Sequence, residues 1–258
     1  MDTLYASLTK DTVLVTMMLV NNETGATYDL QSVSAAIKRT CPDAVFHCDA
    51  TQAFLKFPFS VRHMGVDMLT VSAHKVEGPK GVGALWVSDA VIKNKGLLPL
   101  ILGGGQEKGM RSGTENLPAI AAFGQAVEDG MKTLGAREEK MRALRERLLA
   151  ALNTDAFADV KPLITPEPAP HILNIALPSI KSEVMLHYLS SKGICISSGS
   201  ACSSHGRHGA HPLLSYGRSE READSSIRIS FSADNEEEDV DIFCRELLSG
   251  LQTLARMR

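Results

Sequence analysis

The sequence predicts an α/β protein, a mainly parallel sheet with helices followed by a smaller α+β domain. Three observations predict it. Short apolar, β-branched runs alternate with helical periodicity through the first third of the chain, the rhythm of strand–helix–strand units. Polar, chemistry-bearing residues gather where those runs end, at the positions where parallel sheets hold ligands. After about residue 153 the character changes, with prolines over 163–170 and shorter elements.

Taken in order, residues 12–20 are apolar and β-branched and read as a buried strand. Asn21-Asn22-Glu23-Thr24-Gly25 is a loop. Residues 30–38 carry Leu30, Val33, Ala36 and Ile37 on one helical stripe. Residues 44–48 form a short strand running into Asp49, and 66–72 and 83–87 are further strands. Gly103, Gly104 and Gly105 then break the pattern and read as a tight turn, not a phosphate loop. Pro118 sits near the start of a helix that runs to about Met131. Residues 137–152 form a second helix, with Glu138, Glu139, Lys140, Arg142, Arg145 and Arg147 in solvent and Met141, Leu144, Leu148 and Leu149 inward. A strand over 171–177, a helix over 183–189, short strands over 194–197 and 227–231 and a terminal helix over 240–255 complete the chain. The acidic run Glu236-Glu237-Glu238-Asp239 marks that last helix's N-terminus, where the macrodipole favours carboxylates. The expected division is residues 1–132, a large cofactor-binding domain, and 133–258, a small domain.

Bulk properties exclude several classes. With 258 residues, 44% hydrophobic and 22% charged, the chain is an ordinary globular protein. A net charge of -3 offers no electrostatic basis for binding nucleic acid or an anionic membrane. The apolar run over 13–20 is too short to span a bilayer, and Met1-Asp2 opens no secretory signal. Five cysteines without a CxxC pair predict no disulfide scaffold and a reducing cytoplasm.

The strand ends carry Asn22, then Asp49 with Gln52, then Ser72, His74 and Lys75. A lysine buried at a strand end gives up its proton more easily, because desolvation disfavours the ammonium. A neutral amine condenses with an aldehyde. Pyridoxal phosphate needs such a lysine, and a carboxylate on its ring nitrogen. Lys75 and Asp49 suit those tasks. Gln52 suits the ring hydroxyl, and Ser72 and His74 the phosphate. On residue types alone, a lysine snorkelling from a turn stays open as the alternative.

His47-Cys48-Asp49-Ala50-Thr51-Gln52, Ser72-Ala73-His74-Lys75, Gly78-Pro79-Lys80-Gly81, Arg111-Ser112-Gly113-Thr114 and Ser198-Gly199-Ser200-Ala201-Cys202 follow one another in the order seen in cysteine desulfurases. The chain resembles that family, part of the class V aminotransferase group of fold-type I pyridoxal phosphate enzymes. The resemblance runs from Asn22 to Arg228 and implies a partial fold-type I large domain with its small domain. It makes Lys75 the cofactor lysine and assigns Asp49 to the pyridine nitrogen, Gln52 to the ring oxygen, and Ser72 and His74 to the phosphate. Asn22 is similar to the asparagine near cofactor and substrate. Thr114 resembles the residue that reaches the partner subunit's cofactor phosphate in a homodimer. Arg228 resembles the arginine that grips the substrate α-carboxylate with its planar fork.

The same resemblance makes Cys202 the nucleophile toward the sulfur of L-cysteine. Small residues around it predict a mobile loop that carries the resulting persulfide to an acceptor, an iron–sulfur scaffold or a tRNA-thiolation protein. Cys41, Cys48, Cys195 and Cys244 are expected to be small buried hydrophobes. Cys202, His205, His208 and His211 recur every third residue and offer zinc chemistry, but the spacing fits no standard zinc signature, so no metal is expected. The match begins late in the family pattern. A glycine/threonine phosphate turn and a ring-stacking histidine find no counterpart, and His47 is a poor substitute because it lies within the strand leading to Asp49. Two other readings stand beside the desulfurase: a non-catalytic remnant that serves as an interaction module, and another class V enzyme such as a selenocysteine lyase.

Overall fold

The computed structural model describes residues 2–198 and 212–254. Cys202, His205, His208 and His211 lie outside the described residues. The chain divides into two units, Met1–Val20 with Tyr28–Leu134, and Asn21–Thr27 with Gly135–Arg258.

In the first unit the elements are α1 (Asp2–Ser7), β1 (Leu14–Met18), α2 (Leu30–Thr40), β2 (Val45–Asp49), α3 (Val61–Met64), β3 (Met68–Ser72), β4 (Gly83–Val87), α4 (Asp89–Lys93) and the first part of α5 (Leu117–Leu152). The strand order is β1-β2-β3-β4. The first three strands are parallel and β4 runs antiparallel to β3. Parallel neighbours need a crossover, and α2 supplies the one between β1 and β2. Asp29 caps that helix by accepting from the Ser32 backbone N–H at 3.0 Å. Leu30, Val33, Ala36 and Ile37 are buried, on the stripe that the periodicity predicts. Asp49 pairs in register with Thr70, so Asp49, Thr70 and Ser72 share one face at the ends of neighbouring strands.

The break expected between two helices near residue 132 is absent. A single 36-residue helix runs from Leu117 to Leu152. Gly130 and Gly135 each weaken a helix by about 1 kcal/mol relative to alanine, but both keep their N–H donors and neither stops the ladder. Gly130 has a packing reason as well: a Cβ there would lie 2.9 Å from Leu55 Cδ1.

The second unit holds the remainder of α5, then β5 (Lys161–Pro162), β6 (Ile172–Ala176), α6 (Ser182–Ser191), β7 (Ser197–Ser198), α7 (Pro212–Ser215), α8 (Glu220–Asp224), β8 (Ser226–Ser230) and α9 (Glu237–Leu254). Its sheet is antiparallel throughout, in the order β5-β6-β8-β7. Every residue of β6 is buried, as a central strand requires. Met141, Leu144 and Leu148 of α5 close over Leu173, Ile175 and Ile227, with Met185, Leu189, Phe243 and Leu247 from α6 and α9. Glu237, Glu238 and Asp239 occupy the first turn of α9, where the acidic run was expected to sit. Arg147 reaches two carboxylates of that helix, Glu237 and Asp241, each at 2.8 Å.

Two surface expectations need correction. Arg145 is only 4% exposed and not on the solvated face. It follows Leu144 around the helix and is drawn under with it, its guanidinium pairing with Glu146 at 3.0 Å. Burial lowers its pKa from the ordinary arginine value. Cys195 is exposed, because the chain leaves α6 through Gly193 and turns it outward. Cys41 and Cys48 are buried and Cys244 is partly so. Among the described residues, no helix is long and apolar enough to cross a membrane.

A capping box opens α8. The Ser219 hydroxyl accepts from the Glu222 N–H, and the Glu222 carboxylate accepts from the Ser219 N–H at 3.0 Å. Lys161 adds a donor to the same carboxylate at 2.9 Å. The Ser219 backbone N–H foremost, then Lys161, hold the Glu222 carboxyl at about 2, down from 4.5. A depressed acid stabilises the fold above its unfolded pKa and loses that contribution as pH falls through the folded one. Thermal melts should therefore show wild type above Glu222→Gln at neutral pH, with the gap closing between pH 4.5 and 2. A gap that stays constant across that window contradicts the linkage.

Candidate active site

The turn after β3 fixes the lysine. Ser72 ends the strand, and Ala73–Lys75 make one 3-10 turn. The Ala73 carbonyl accepts from both the Val76 and Gly78 N–H groups at 2.9 Å, and the Ala73 N–H donates to the Val82 carbonyl at 3.1 Å. Gly78 is required by this closure, since a Cβ there would meet the Ala73 Cβ at 2.9 Å. Ala73 and Val76 point into an apolar cluster with Leu55 and Phe123. They take the inward positions, so Lys75 falls on the outer side of the turn and is exposed. The expectation of a buried lysine is thereby corrected.

Asp49 is partly buried at the end of β2. Its Oδ1 accepts from the Thr51 backbone N–H at 2.9 Å, which fixes the side chain. Among the described residues no hydrogen bond reaches Oδ2. Gln52 follows on the same turn, partly buried. Ser72 and His74 come together directly, Oγ to Nδ1, at 2.7 Å. Thr114 is exposed, two residues on from the buried Ser112.

His47 belongs to the same face as Asp49, two residues upstream. Its Nδ1 lies 2.7 Å from Thr16 Oγ1 and its Nε2 lies 3.2 Å from Thr70 Oγ1. This row stitches β1, β2 and β3 together below the strand ends. Sequence reasoning set His47 aside. The signal that finds it is a threonine on each flanking strand, Thr16 in register with it and Thr70 one same-face position further along.

In the second unit, Asn21 organises the loop after β1 by accepting from the Glu23 and Thr24 N–H groups, each at 2.9 Å. Arg228, on β8, donates through Nη1 to the Asn22 carbonyl at 2.8 Å and through Nη2 to Ser197 Oγ at 3.0 Å. Asn22 and Arg228 are thus brought together, through the Asn22 backbone and not its amide. Burial lowers the Arg228 pKa from its ordinary value, with the charge of Glu23 opposing that shift. Among the described residues no cluster of three metal-ligating side chains occurs.

The class-V aminotransferase model matches residues 1–243. The chain belongs to the class-V aminotransferase family. The chain is 38% identical over 244 residues to a cysteine desulfurase of Nostoc sp., covering 93% of this chain and 59% of that protein. It is 36% identical over 250 residues to cysteine desulfurase IscS 1 of Archaeoglobus fulgidus, covering 96% of this chain and 63% of that protein. The chain therefore spans about three-fifths of the length of the curated relatives it matches. Among solved structures, a NifS-like protein superposes with a TM-score of 0.86 at 33% identity, over 97% of this chain and 64% of that one. A NifS-like protein from Rickettsia africae gives 0.82 at 32%, over 96% and 64%. The α/β fold is that of the fold-type I enzymes.

The family depends on pyridoxal phosphate, and the residues present fit that group. A carboxylate anchored on one oxygen leaves the other for a ring N–H. A hydroxyl–imidazole pair offers donors for a phosphate, and a primary amine follows on the next turn.

Proposed function

We propose that this chain carries the chemistry of a pyridoxal phosphate-dependent cysteine desulfurase, taking L-cysteine to L-alanine and leaving the sulfur on Cys202. The observation that supports this best is the pair of adjacent strand ends. Asp49 stands there with one oxygen fixed and the other open, beside the Ser72–His74 pair that runs straight into Lys75.

Lys75 is the amine that would hold the cofactor and, when free, would act as general base toward the substrate Cα proton. Asp49 Oδ2 would accept from the ring nitrogen, Gln52 would donate to the ring oxygen, and Ser72 and His74 would donate to the phosphate. Bound cofactor supplies the electron sink for the substrate carbanion. Arg228 grips the α-carboxylate, with Asn22 beside it. The Cys202 thiolate then attacks the substrate Sγ. The S–S bond forms as the Cβ–S bond breaks, the electron pair of that bond stays with the carbon fragment, and protonation of that fragment gives alanine. Cys202 is left as a persulfide, whose outer sulfur passes to an acceptor, an iron–sulfur scaffold or a tRNA-thiolation protein. In this reading residues 1–132 bind the cofactor and 133–258 present the cysteine. Thr114 serves a partner subunit's cofactor in a homodimer, and the reaction takes place in the cytoplasm.

The exposure of Lys75 favours a second reading, a non-catalytic interaction module. One experiment separates the readings. The purified chain is mixed with pyridoxal phosphate, its visible spectrum recorded, and L-cysteine added. A new visible band followed by sulfide and alanine supports the desulfurase. No band supports the interaction module. A band with selenide released from selenocysteine, and no sulfide from cysteine, supports a lyase of the same family.

A further inference from the structure

Around Arg228 the second unit buries more polarity than its hydrogen bonds satisfy. The antiparallel register sets Asn174 of β6 opposite Arg228 on one side and Ser197 of β7 on the other. Residues directly opposite in such a ladder share a face, with Cβ atoms about 5 Å apart. The flanking rows are apolar, Leu173 with Ile229 and Ile175 with Ile227. Asn174 is 3% exposed and Glu23 5%. Among the described residues, Asn174 Oδ1, Glu23 Oε2 and Arg228 Nε are all buried without a hydrogen-bond partner. Buried polar atoms are nearly always paired, so three in one neighbourhood call for an explanation.

Glu23 directly follows Asn22, whose carbonyl takes the Arg228 Nη1. Among the described residues Arg228 makes no ion pair; the charge of Glu23 is felt at the guanidinium, whose two bonded donors go to Asn22 and Ser197 instead. Arg228 is partly buried, and a cation drawn out of water needs a counter-charge, which Glu23 supplies at a stand-off. We propose that Glu23 is a positioning residue that balances Arg228 from a distance and limits it to one carboxylate, so that the site selects amino acids with a single carboxylate over those with two. This rests on the reading of Arg228 as the α-carboxylate grip. Arginine and Glu23 together are neutral, and one substrate carboxylate brings the local charge to a single negative. A second carboxylate doubles that charge where water is scarce and screening weak.

The test uses the chain loaded with pyridoxal phosphate, titrated separately with L-alanine and L-aspartate and followed by the cofactor's visible absorbance. Glu23→Gln keeps the shape and removes the charge. It should lower the half-saturating L-alanine concentration by roughly tenfold, as one unit charge at several ångströms in a partly buried site implies, and that of L-aspartate by more. Glu23→Asp should keep the wild-type preference, and Arg228→Lys should abolish the response to both amino acids. A Glu23→Gln chain that binds L-alanine as well as or less well than wild type, while Arg228→Lys still fails, overturns the role of Glu23 and leaves the carboxylate grip intact. An Arg228→Lys chain that binds L-alanine normally overturns both. A cofactor-free measurement runs alongside. Glu23→Gln should lower Tm, and Glu23→Gln with Arg228→Gln should lose less than the two single losses added together. Should Glu23→Gln alone not fold, that double variant must recover folding. A double variant as unstable as the sum of the singles overturns the pairing.

Discussion

Lys75→Ala should abolish the visible band of the chain incubated with pyridoxal phosphate and then dialysed, and should lower sulfide release from L-cysteine by on the order of 10³-fold or more, the scale of losing a general base and covalent anchor together. Two features make the expectation sharp. The turn that carries Lys75 is held by its neighbours: Ala73 and Val76 are buried, and the Ala73 carbonyl takes two backbone N–H groups. Removing an exposed side chain from such a turn should change stability by less than about 0.5 kcal/mol, so Tm should be unmoved. Lys80, exposed beyond the Gly78-Pro79 turn, is the control, and Lys80→Ala should keep the band. A Lys75→Ala chain that still shows the band, or a Lys80→Ala chain that loses it, would move the cofactor amine elsewhere.

How far the sequence could be read depended on whether a feature is local. β1 to β4 were visible as short apolar runs, though β1 is less buried than a parallel strand's run suggests and β4 runs antiparallel with most of its side chains exposed. Gly83–Val87 holds its expected bounds because Gly83 pairs with Ser72 so closely that a Cβ would meet the Val71 carbonyl at 2.6 Å. The continuity of α5 was hidden, since glycine weakens a helix without stopping it and only the fit against Leu55 explains Gly130. The exposure of Lys75 was hidden for a related reason. A strand end says where a side chain starts, but one 3-10 turn decides which way it faces. The burial of Glu23, Arg145 and Asn174 depends on neighbours distant in sequence. Asn174 alone left a trace, as the one polar residue inside the apolar strand Ile172–Ala176. Asn22 and Arg228, 206 residues apart, were linked by family pattern, while the bond that joins them, guanidinium to backbone carbonyl, had no sequence signature.

Cys202→Ala should leave the cofactor band intact and stop both persulfide formation and alanine release. Elimination among the five cysteines narrows the choice. A sulfur nucleophile must reach the thiolate form near neutral pH. Burial, reinforced by the charge of Asp49, pushes the Cys48 thiol up to about 12. Burial, reinforced by Asp241, pushes Cys244 up to about 11. Cys41 is buried as well. That leaves Cys195, exposed before β7, and Cys202. Both can be replaced, so the comparison is direct. Cys195→Ala should retain most of the wild-type sulfide release and still acquire one extra sulfur on mixing with L-cysteine, read as a mass increase that a reductant reverses. Cys202→Ala should show no such increase. If instead Cys202→Ala gains the sulfur and Cys195→Ala does not, the nucleophile is Cys195. Its place on the chain, just before the strand whose Ser197 holds Arg228, would then make the carboxylate grip and the thiol neighbours on one rigid edge of the sheet.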